Sequence, residues 1–267
     1  MKKKRIIALV LCSMFVFSMV ASANGTTMTE DMADNILRNN GFTDYMLENI
    51  MPDDKIGLAL TAQTPDTTVE PFVQSASANM SCIDDLLGTS TYADIPIEDL
   101  DIRIIGAKVS TNSVLQYINC YVTSEWLNYP SLTDKDLVVI SWSDDNFGML
   151  ESEYECISYE LDPYTNQWYQ YESISRPSRG DDGYFGYHWN LHEDLSKSYC
   201  AFRLVPDNAV TPGGRLRIYV NYAHKTVTAN GLDIGFTVDS DLNVEFSLGT
   251  NFTYTLEEAF NQKTITY

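Results

Sequence analysis

Positively charged residues are scarce in this sequence. Its 267 residues include 17 lysines and arginines against 37 aspartates and glutamates, and only three histidines. Nucleic-acid binding needs clustered Lys and Arg that contact phosphates, so this composition excludes a nucleic-acid partner. It also disfavours an anionic membrane surface, and it leaves cations, neutral glycans and basic protein surfaces as partners. Solubility alone is the simpler explanation of the charge.

Recognisable catalytic motifs are also missing. No serine lies in a Gly-x-Ser-x-Gly elbow, and no His-Glu-x-x-His or EF-hand pattern is present. His188 and His192 would share a face on a helix and could then bind a metal, but their neighbours are typical of strand and loop. The sequence therefore predicts no catalytic residue, and an enzyme is the less favoured class.

Only one stretch is long and apolar. Residues 6–21 carry no charge, follow four basic residues at positions 2–5, and end at Ala21-Ser22-Ala23. This pattern predicts a secretory signal peptide over residues 1–23, of a kind typical of bacteria. Since a stable span needs about 20 apolar residues, an uncleaved anchor is the weaker alternative. We expect a secreted, extracellular protein with no stable membrane span after cleavage.

Loss of the signal changes the charge of the chain. It takes away four of the 17 basic residues and none of the 37 acidic ones. The mature chain therefore keeps 13 basic residues against 37 acidic ones, a net charge of −24.

Cysteines are few, and the signal holds Cys12. The mature chain keeps an even set of four disulfide candidates, namely Cys82, Cys120, Cys156 and Cys200. Four cysteines allow three connectivities, and the sequence does not choose among them. No Cys-x-x-Cys is present, which disfavours zinc and redox motifs. Cys120 and Cys200 each lie two residues from an apolar residue on a predicted strand, and residues two apart on a strand share a face. Both cysteines are therefore predicted to point into a core.

The spacing of hydrophobic residues changes along the mature chain and divides it into three segments. Residues 24–63 are predicted to be a small helical segment with a capping box at Thr27 and Glu30, a cap at Thr43 and a helix start at Pro52. Residues 64–100 are predicted to be a linker with a short acidic helix. From residue 101 to residue 267 a period of two with regular turn signals predicts an antiparallel β-sandwich. The fold class is therefore α+β, mainly β.

The most regular alternation lies between residues 232 and 254. Apolar residues occupy every second position on both sides of Asp239-Ser240-Asp241. This predicts an amphipathic hairpin with one buried face and one wet face. A barrel-forming, membrane-active hairpin needs the same pattern and is an alternative.

Aromatic residues are concentrated between Tyr154 and Trp189, where ten of 36 residues are Tyr, Trp or Phe. Flat aromatic faces beside amides and carboxylates suit neutral sugar rings. Ordinary core packing is the competing explanation. The candidate ligand-binding residues are Trp168, Tyr169, Tyr171, Tyr187 and Trp189.

Acidic turns supply oxygen ligands that suit a structural Ca²⁺. The candidates are Asp144, Asp145, Asp181 and Asp182, and solvated turn residues are the competing explanation. No other cofactor is expected. Taken together, the sequence favours a secreted, non-catalytic binding module for a glycan or a protein. The alternatives are an extracellular hydrolase acting on a polysaccharide and a membrane-active protein.

Overall fold

The structure is a computed structural model. It describes residues 27–75, 91–95, 99–128, 135–174, 178–179, 183–191, 195–210, 212–225, 234–239, 241–248 and 255–267. The predicted signal peptide, Cys82 and the predicted acidic helix lie outside these ranges. Within them, no helix is both long enough and apolar enough to cross a membrane.

Three short helices open the described chain: α1 (Glu30–Asn39), α2 (Asp44–Glu48) and α3 (Pro52–Ala62). The predicted cap at Thr43 and the predicted helix start at Pro52 are confirmed, since Thr43 Oγ1 accepts from the Met46 amide and Pro52 is in the first turn of α3. At α1 the cap is Thr29, whose Oγ1 accepts from the Met32 amide, and not Thr27. Glu30 instead pairs with the buried Lys55 at 2.6 Å, joining α1 to α3.

The rest of the chain is almost entirely β-structure, as the two-residue period predicts. Its strands are β1 (Thr67–Ser75), β2 (Thr91–Asp94), β3 (Leu100–Thr111), β4 (Val114–Trp126), β5 (Lys135–Trp142), β6 (Phe147–Met149), β7 (Glu155–Asp162), β8 (Gln167–Ser173), β9 (Ser178–Arg179), β10 (Tyr184–Asn190), β11 (Ser196–Pro206), β12 (Arg215–Lys225), β13 (Ile234–Val238), β14 (Val244–Leu248) and β15 (Thr255–Thr266). A 3₁₀ turn lies at Glu151–Glu153.

Two sheets face each other. Sheet A has the order β1-β3-β4-β11-β7-β8, with β6 also paired to β11, and sheet B has the order β2-β15-β12-β5-β10-β9. Every pair is antiparallel except β2 with β15. The main core lies between the sheets and includes Ile104, Val122, Ile140 and Phe202. The predicted mainly β, sandwich-like fold is therefore confirmed.

Two further layers cover the outer faces of the sandwich. The helices pack on sheet A, where Leu37 and Leu58 meet Ile105 and Tyr121. The β13–β14 hairpin packs on sheet B through a small cluster of Leu137, Val139, Ala223, Ile234 and Phe246. In the described part of the predicted hairpin, residues 234–239 and 241–248, the alternation is thus explained by packing on a sheet. Membrane activity stays an untested alternative.

The structure differs from the sequence prediction in residues 64–100. β1 and β2 both lie in this predicted linker, and β1 forms an edge of sheet A by pairing with β3 over nine residues. Ser, Thr, Pro and Ala dominate the local composition and conceal the strand. Val69 and Phe72 are nevertheless buried, because the long-range pairing with β3 determines the conformation.

One carboxyl group is half-buried where the helices meet sheet A. Asp54, in the first turn of α3, accepts a hydrogen bond of 2.7 Å from Tyr199 Oη on β11. Burial raises the pKa of Asp54 from 3.8 to about 6, although the Tyr199 hydrogen bond opposes that shift. The folded protein therefore holds this proton more tightly than the unfolded chain does.

We expect Asp54→Asn to gain stability over the wild type as the pH rises. Between about pH 4 and pH 6 the unfolded chain releases the Asp54 proton while the folded protein keeps it, so wild-type stability falls through this window. The variant has no such loss. Its free energy of unfolding relative to wild type should rise by about 2–3 kcal/mol from pH 4 to pH 7, measured by urea denaturation.

Asp31→Asn is the matched control, because Asp31 is likewise in the first turn of a helix, α1, and is exposed there. Its stability relative to wild type should change little over this range. Equal pH dependence for the two variants would contradict the role assigned to burial of Asp54.

Candidate functional site

The predicted ligand-binding aromatics divide into two groups. Tyr187 and Trp189 point from β10 into the core, and each is 1% exposed. They cannot stack on an external ligand, so their assignment to a surface site is corrected. Tyr169 and Tyr171 lie on β8 and are 45% and 49% exposed, with Trp168 half-buried beside them.

Strand position is what separates the two groups. β10 has β5 on one side and the opposite sheet across its inner face, whereas β8 is the last strand of sheet A. The β7–β8 turn is fixed by Asp162 Oδ1, which accepts from the amides of Tyr164 and Thr165 at 2.8 and 3.2 Å. This turn places Tyr164 at the tip of the hairpin, where it is 96% exposed.

We call β7 and β8 with the exposed Tyr164, Tyr169 and Tyr171 the tyrosine hairpin. Among the described residues the other exposed large apolar or aromatic side chains are Met32, Tyr45, Val114 and Leu127, which are spread over three other elements or their ends. Exposed aromatic surface is thus concentrated on this hairpin. Concentrated exposed apolar surface marks an interaction site more often than scattered residues do.

A β-bulge redirects the side chains of β8. Tyr159 pairs with Gln170 and Ser158 with Glu172, so Tyr171 is the extra residue of the bulge. Bulges bend a strand and re-aim a side chain, and they occur often at sheet edges and beside functional sites. On β8 the bulge falls within a run of three residues, Tyr169, Gln170 and Tyr171, that are all exposed.

Trp168 has a cation beside it on the outer face of sheet A. Lys197 Nζ lies 4.3 Å from the centre of the Trp168 ring and 5.3 Å from that of Tyr159. Burial lowers the pKa of Lys197, and the nearby Glu125 carboxylate opposes that shift. This cation–π contact holds the Trp168 ring in place near the turn of the hairpin.

Hydrogen-bonding groups accompany the aromatic rings. Gln167 and Gln170 are exposed on β8, and Gln170 Nε2 donates to Ser173 Oγ at 3.3 Å. Glu172 Oε1 accepts from Asn190 Nδ2 at 2.6 Å, which ties β8 to β10 of the other sheet. Exposed rings beside amides and a carboxylate have the composition that neutral sugars require.

A second constellation, which the sequence did not predict, is fully buried. Asp136 on β5 and His224 on β12 are both 1% exposed, and His224 Nδ1–H donates to Asp136 Oδ1 at 2.7 Å. Asp136 Oδ2 also accepts from Tyr222 Oη and, at 3.1 Å, from Trp126 Nε1. On their strands, both residues occupy the alternate positions whose apolar side chains point into the core. This alternation is the sequence signal that could have identified them as buried.

The Asp136–His224 pair resembles the carboxylate–imidazole half of an acid–base site. A base must come within hydrogen-bond reach of its substrate. Both side chains are enclosed by the core, with the Trp126 ring 5.0 Å from the imidazole. The arrangement therefore serves packing between the sheets, and it offers no surface to a polymer.

A shallow cleft of about 450 Å³ lies at one end of the sandwich. It is bordered by Asn146, Asn208, Val210, Gly213 and Tyr267, among other residues. Tyr267 Oη donates to Asp144 Oδ2 at 2.6 Å. The cleft has the volume of a small-molecule site but has few apolar walls.

Of the four candidate metal ligands, the structure describes Asp144 and Asp145. Asp144 accepts from Tyr267 and from the amide and side chain of Asn146, while Asp145 is exposed. Asp181 and Asp182 lie outside the described residues. In the described ranges, no three His, Cys, Asp or Glu side chains are grouped to hold a metal ion. The Ca²⁺ hypothesis stays a prediction.

The comparisons with known proteins leave the family open. No family model and no curated protein matches the chain. One solved structure, described as "AvmM Catalyzes Macrocyclization in Alchivemycin A Biosynthesis", is 8% identical, with a TM-score of 0.28 over 76% of this chain and 89% of that one. Another, described as "Complete structure of manganese lipoxygenase of Gaeumannomyces graminis and partial structure of zonadhesin of Komagataella pastoris", is 8% identical, with a TM-score of 0.26 over 62% and 67%. Likenesses this weak carry no argument about activity.

Proposed function

We propose that this chain is a secreted, non-catalytic binding module that holds a neutral glycan on the tyrosine hairpin. The observation that carries the proposal is the clustering of Tyr164, Tyr169 and Tyr171 as exposed rings on one edge hairpin. Exposed aromatic rings are costly to leave in water, and sugar rings present apolar C–H faces that stack on them. The adjacent amides supply partners for hydroxyl groups.

The charge of the chain favours a neutral ligand. With 37 acidic residues against 17 basic ones, the protein repels polyanions such as nucleic acids and acidic polysaccharides. A basic protein surface is the other ligand that this charge accommodates. We favour the glycan, because the exposed amides of Gln167 and Gln170 lie beside the rings and can both donate to and accept from sugar hydroxyl groups.

A polysaccharide hydrolase has less support than a binding module. Glycoside hydrolysis needs two carboxyl groups about 5–9.5 Å apart that flank an accessible bond. The described Asp–His pair is enclosed in the core. The exposed tyrosine hairpin, in contrast, projects from a sheet edge, a geometry suited to stacking.

Retention in native gels that contain a soluble neutral polysaccharide tests this proposal. Mixed-linkage β-glucan, xylan and galactomannan are used in separate gels. We expect wild type to be retarded in at least one of them. The variant with Tyr169→Ala and Tyr171→Ala should lose affinity at least about tenfold, because each stacked ring contributes roughly 1 kcal/mol.

Tyr45→Ala is the matched control, since Tyr45 is a tyrosine of similar exposure on α2. It should be retarded like wild type. Free migration of wild type in all three gels would overturn the proposal, and so would equal retention of the double variant.

Export is tested separately by the N-terminus of the protein recovered from culture medium. Cleavage after Ala23 is expected from the Ala21-Ser22-Ala23 pattern. Full-length chain retained inside the cells would contradict secretion while leaving the glycan test unaffected.

A further inference from the structure

Two of the buried cysteines face each other across neighbouring strands. β7 and β11 are antiparallel, and their register pairs Cys156 directly with Cys200. Both side chains point into the sandwich core, where Cys156 is 2% exposed and Cys200 is fully buried. The structure holds them as thiols, as it does Cys120.

The backbone hydrogen bonds identify the kind of pair. The Leu161 amide donates to the Leu195 carbonyl on the β11 side at 2.9 Å, and the Ile174 amide donates to the Cys156 carbonyl at 2.8 Å. The backbone amide and carbonyl of Leu161 therefore point toward β11, as do those of every second residue of β7 counted from it. Cys156 belongs to the other set, and its backbone amide and carbonyl point away from β11. Cys156 and Cys200 thus form a non-hydrogen-bonded pair, the closer of the two types, with Cα atoms typically about 4.5 Å apart.

That spacing falls within the Cα range of disulfides, which is about 4.4–6.8 Å. Cys120 is placed differently. It pairs with Phe202 on β11, while Cys200 pairs with Val122. Cys120 is therefore a diagonal neighbour of Cys200, and diagonal neighbours are typically about 7–8 Å apart. Among the three described cysteines, the geometry therefore selects the pair Cys156 and Cys200.

We propose that Cys156 and Cys200 form a cross-strand disulfide when the chain folds in an oxidising compartment. Its occurrence in the organism rests on the proposed export, because reducing compartments keep thiols free. The bond would join β7, the first strand of the tyrosine hairpin, to β11 in the interior of sheet A.

The bond forms by two thiol–disulfide exchanges with a small-molecule or protein disulfide. One cysteine thiolate attacks the donor disulfide and releases one donor thiolate; the second cysteine then attacks the mixed disulfide and releases the other. Two protein thiols are oxidised and the donor is reduced to two thiols. Burial raises the pKa of Cys200, so exchange takes place before the two sheets close over it.

Refolding in a glutathione redox buffer, followed by peptide mapping, tests the pairing independently of export. The reduced, unfolded chain lacking residues 1–23 is refolded, its remaining thiols are blocked with N-ethylmaleimide, and the unreduced protein is digested. We expect a cross-linked peptide pair that contains Cys156 and Cys200 and separates on reduction. We also expect Cys120 to carry the blocking group or to be joined elsewhere than to this pair.

Single variants provide the controls. Cys120→Ala should keep the Cys156–Cys200 cross-link, whereas Cys156→Ala should leave Cys200 reactive toward the blocking reagent under denaturing conditions. Recovery of both cysteines in the blocked form from correctly refolded wild type would overturn the proposal. A cross-link from Cys120 to either of them would overturn it equally. Neither result depends on glycan binding.

Discussion

Replacing Asp136 with alanine is expected to lower the free energy of unfolding by roughly 4 kcal/mol. The Asp136 carboxylate accepts hydrogen bonds from His224 Nδ1, Tyr222 Oη and Trp126 Nε1. Alanine removes the acceptor of His224 Nδ1 and Tyr222 Oη inside the core, and water cannot reach these two groups without opening the sandwich. Trp126 Nε1 keeps its 2.9 Å hydrogen bond to Tyr222 Oη. Urea denaturation followed by tryptophan fluorescence measures the loss.

Two variants calibrate this prediction. Asp145→Ala makes the same change at an exposed turn and should alter stability by less than about 0.5 kcal/mol. Tyr222→Phe removes one of the three donors and leaves the carboxylate partly satisfied, so it should cost about 1 kcal/mol. If Asp136→Ala is no more destabilising than Asp145→Ala, the buried network does not hold the two sheets together.

Gly106→Ala is expected to destabilise the protein by about 3 kcal/mol. Gly106 lies on β3 between Phe72 on β1 and Cys120 on β4. A Cβ atom there would overlap the Asn119 carbonyl oxygen and lie 2.5 Å from Phe72 Cζ. The overlap is with backbone on one side, so relief requires movement of β4 and not only rotation of a ring.

Gly57→Ala is the control, because it is the same substitution at an open site. Gly57 lies within α3, and a Cβ atom there has no neighbour within 4 Å. Alanine favours a helix over glycine by up to about 1 kcal/mol, so this variant should be more stable than wild type. Similar effects of the two substitutions in urea denaturation would contradict the close packing assigned to Gly106.

The sequence predicted the structural features that depend on residues close together in the chain. Thr43 and Pro52 mark helix starts because a cap and a ring with fixed φ act within one turn. The inward parity of Cys120 and Cys200 is confirmed because strand alternation determines which face a side chain occupies. β1 was missed because its burial comes from β3, about 35 residues further along the chain.

The candidate site was only partly predictable for the same reason. Tyr169 on β8 and Tyr187 on β10 have similar neighbours in sequence, yet one strand is at an edge and the other is packed beneath a second sheet. The order of the strands in the two sheets determines which of the two tyrosines is exposed, and the residues next to each tyrosine in sequence do not indicate that order. Likewise Asp136 and His224 are 88 residues apart, and only the pairing of β5 with β12 brings them together.

Tyrosine nitration with and without bound glycan tests the central claim most directly, namely that the tyrosine hairpin is the binding surface. The ligand is the polysaccharide that retards wild type in the native gel, and peptide mapping locates the nitrated rings. We predict that Tyr164, Tyr169 and Tyr171 are nitrated in the free protein and protected when the polysaccharide is bound, while Tyr45 reacts equally in both. Undiminished nitration of the three hairpin tyrosines in the bound protein would contradict the account.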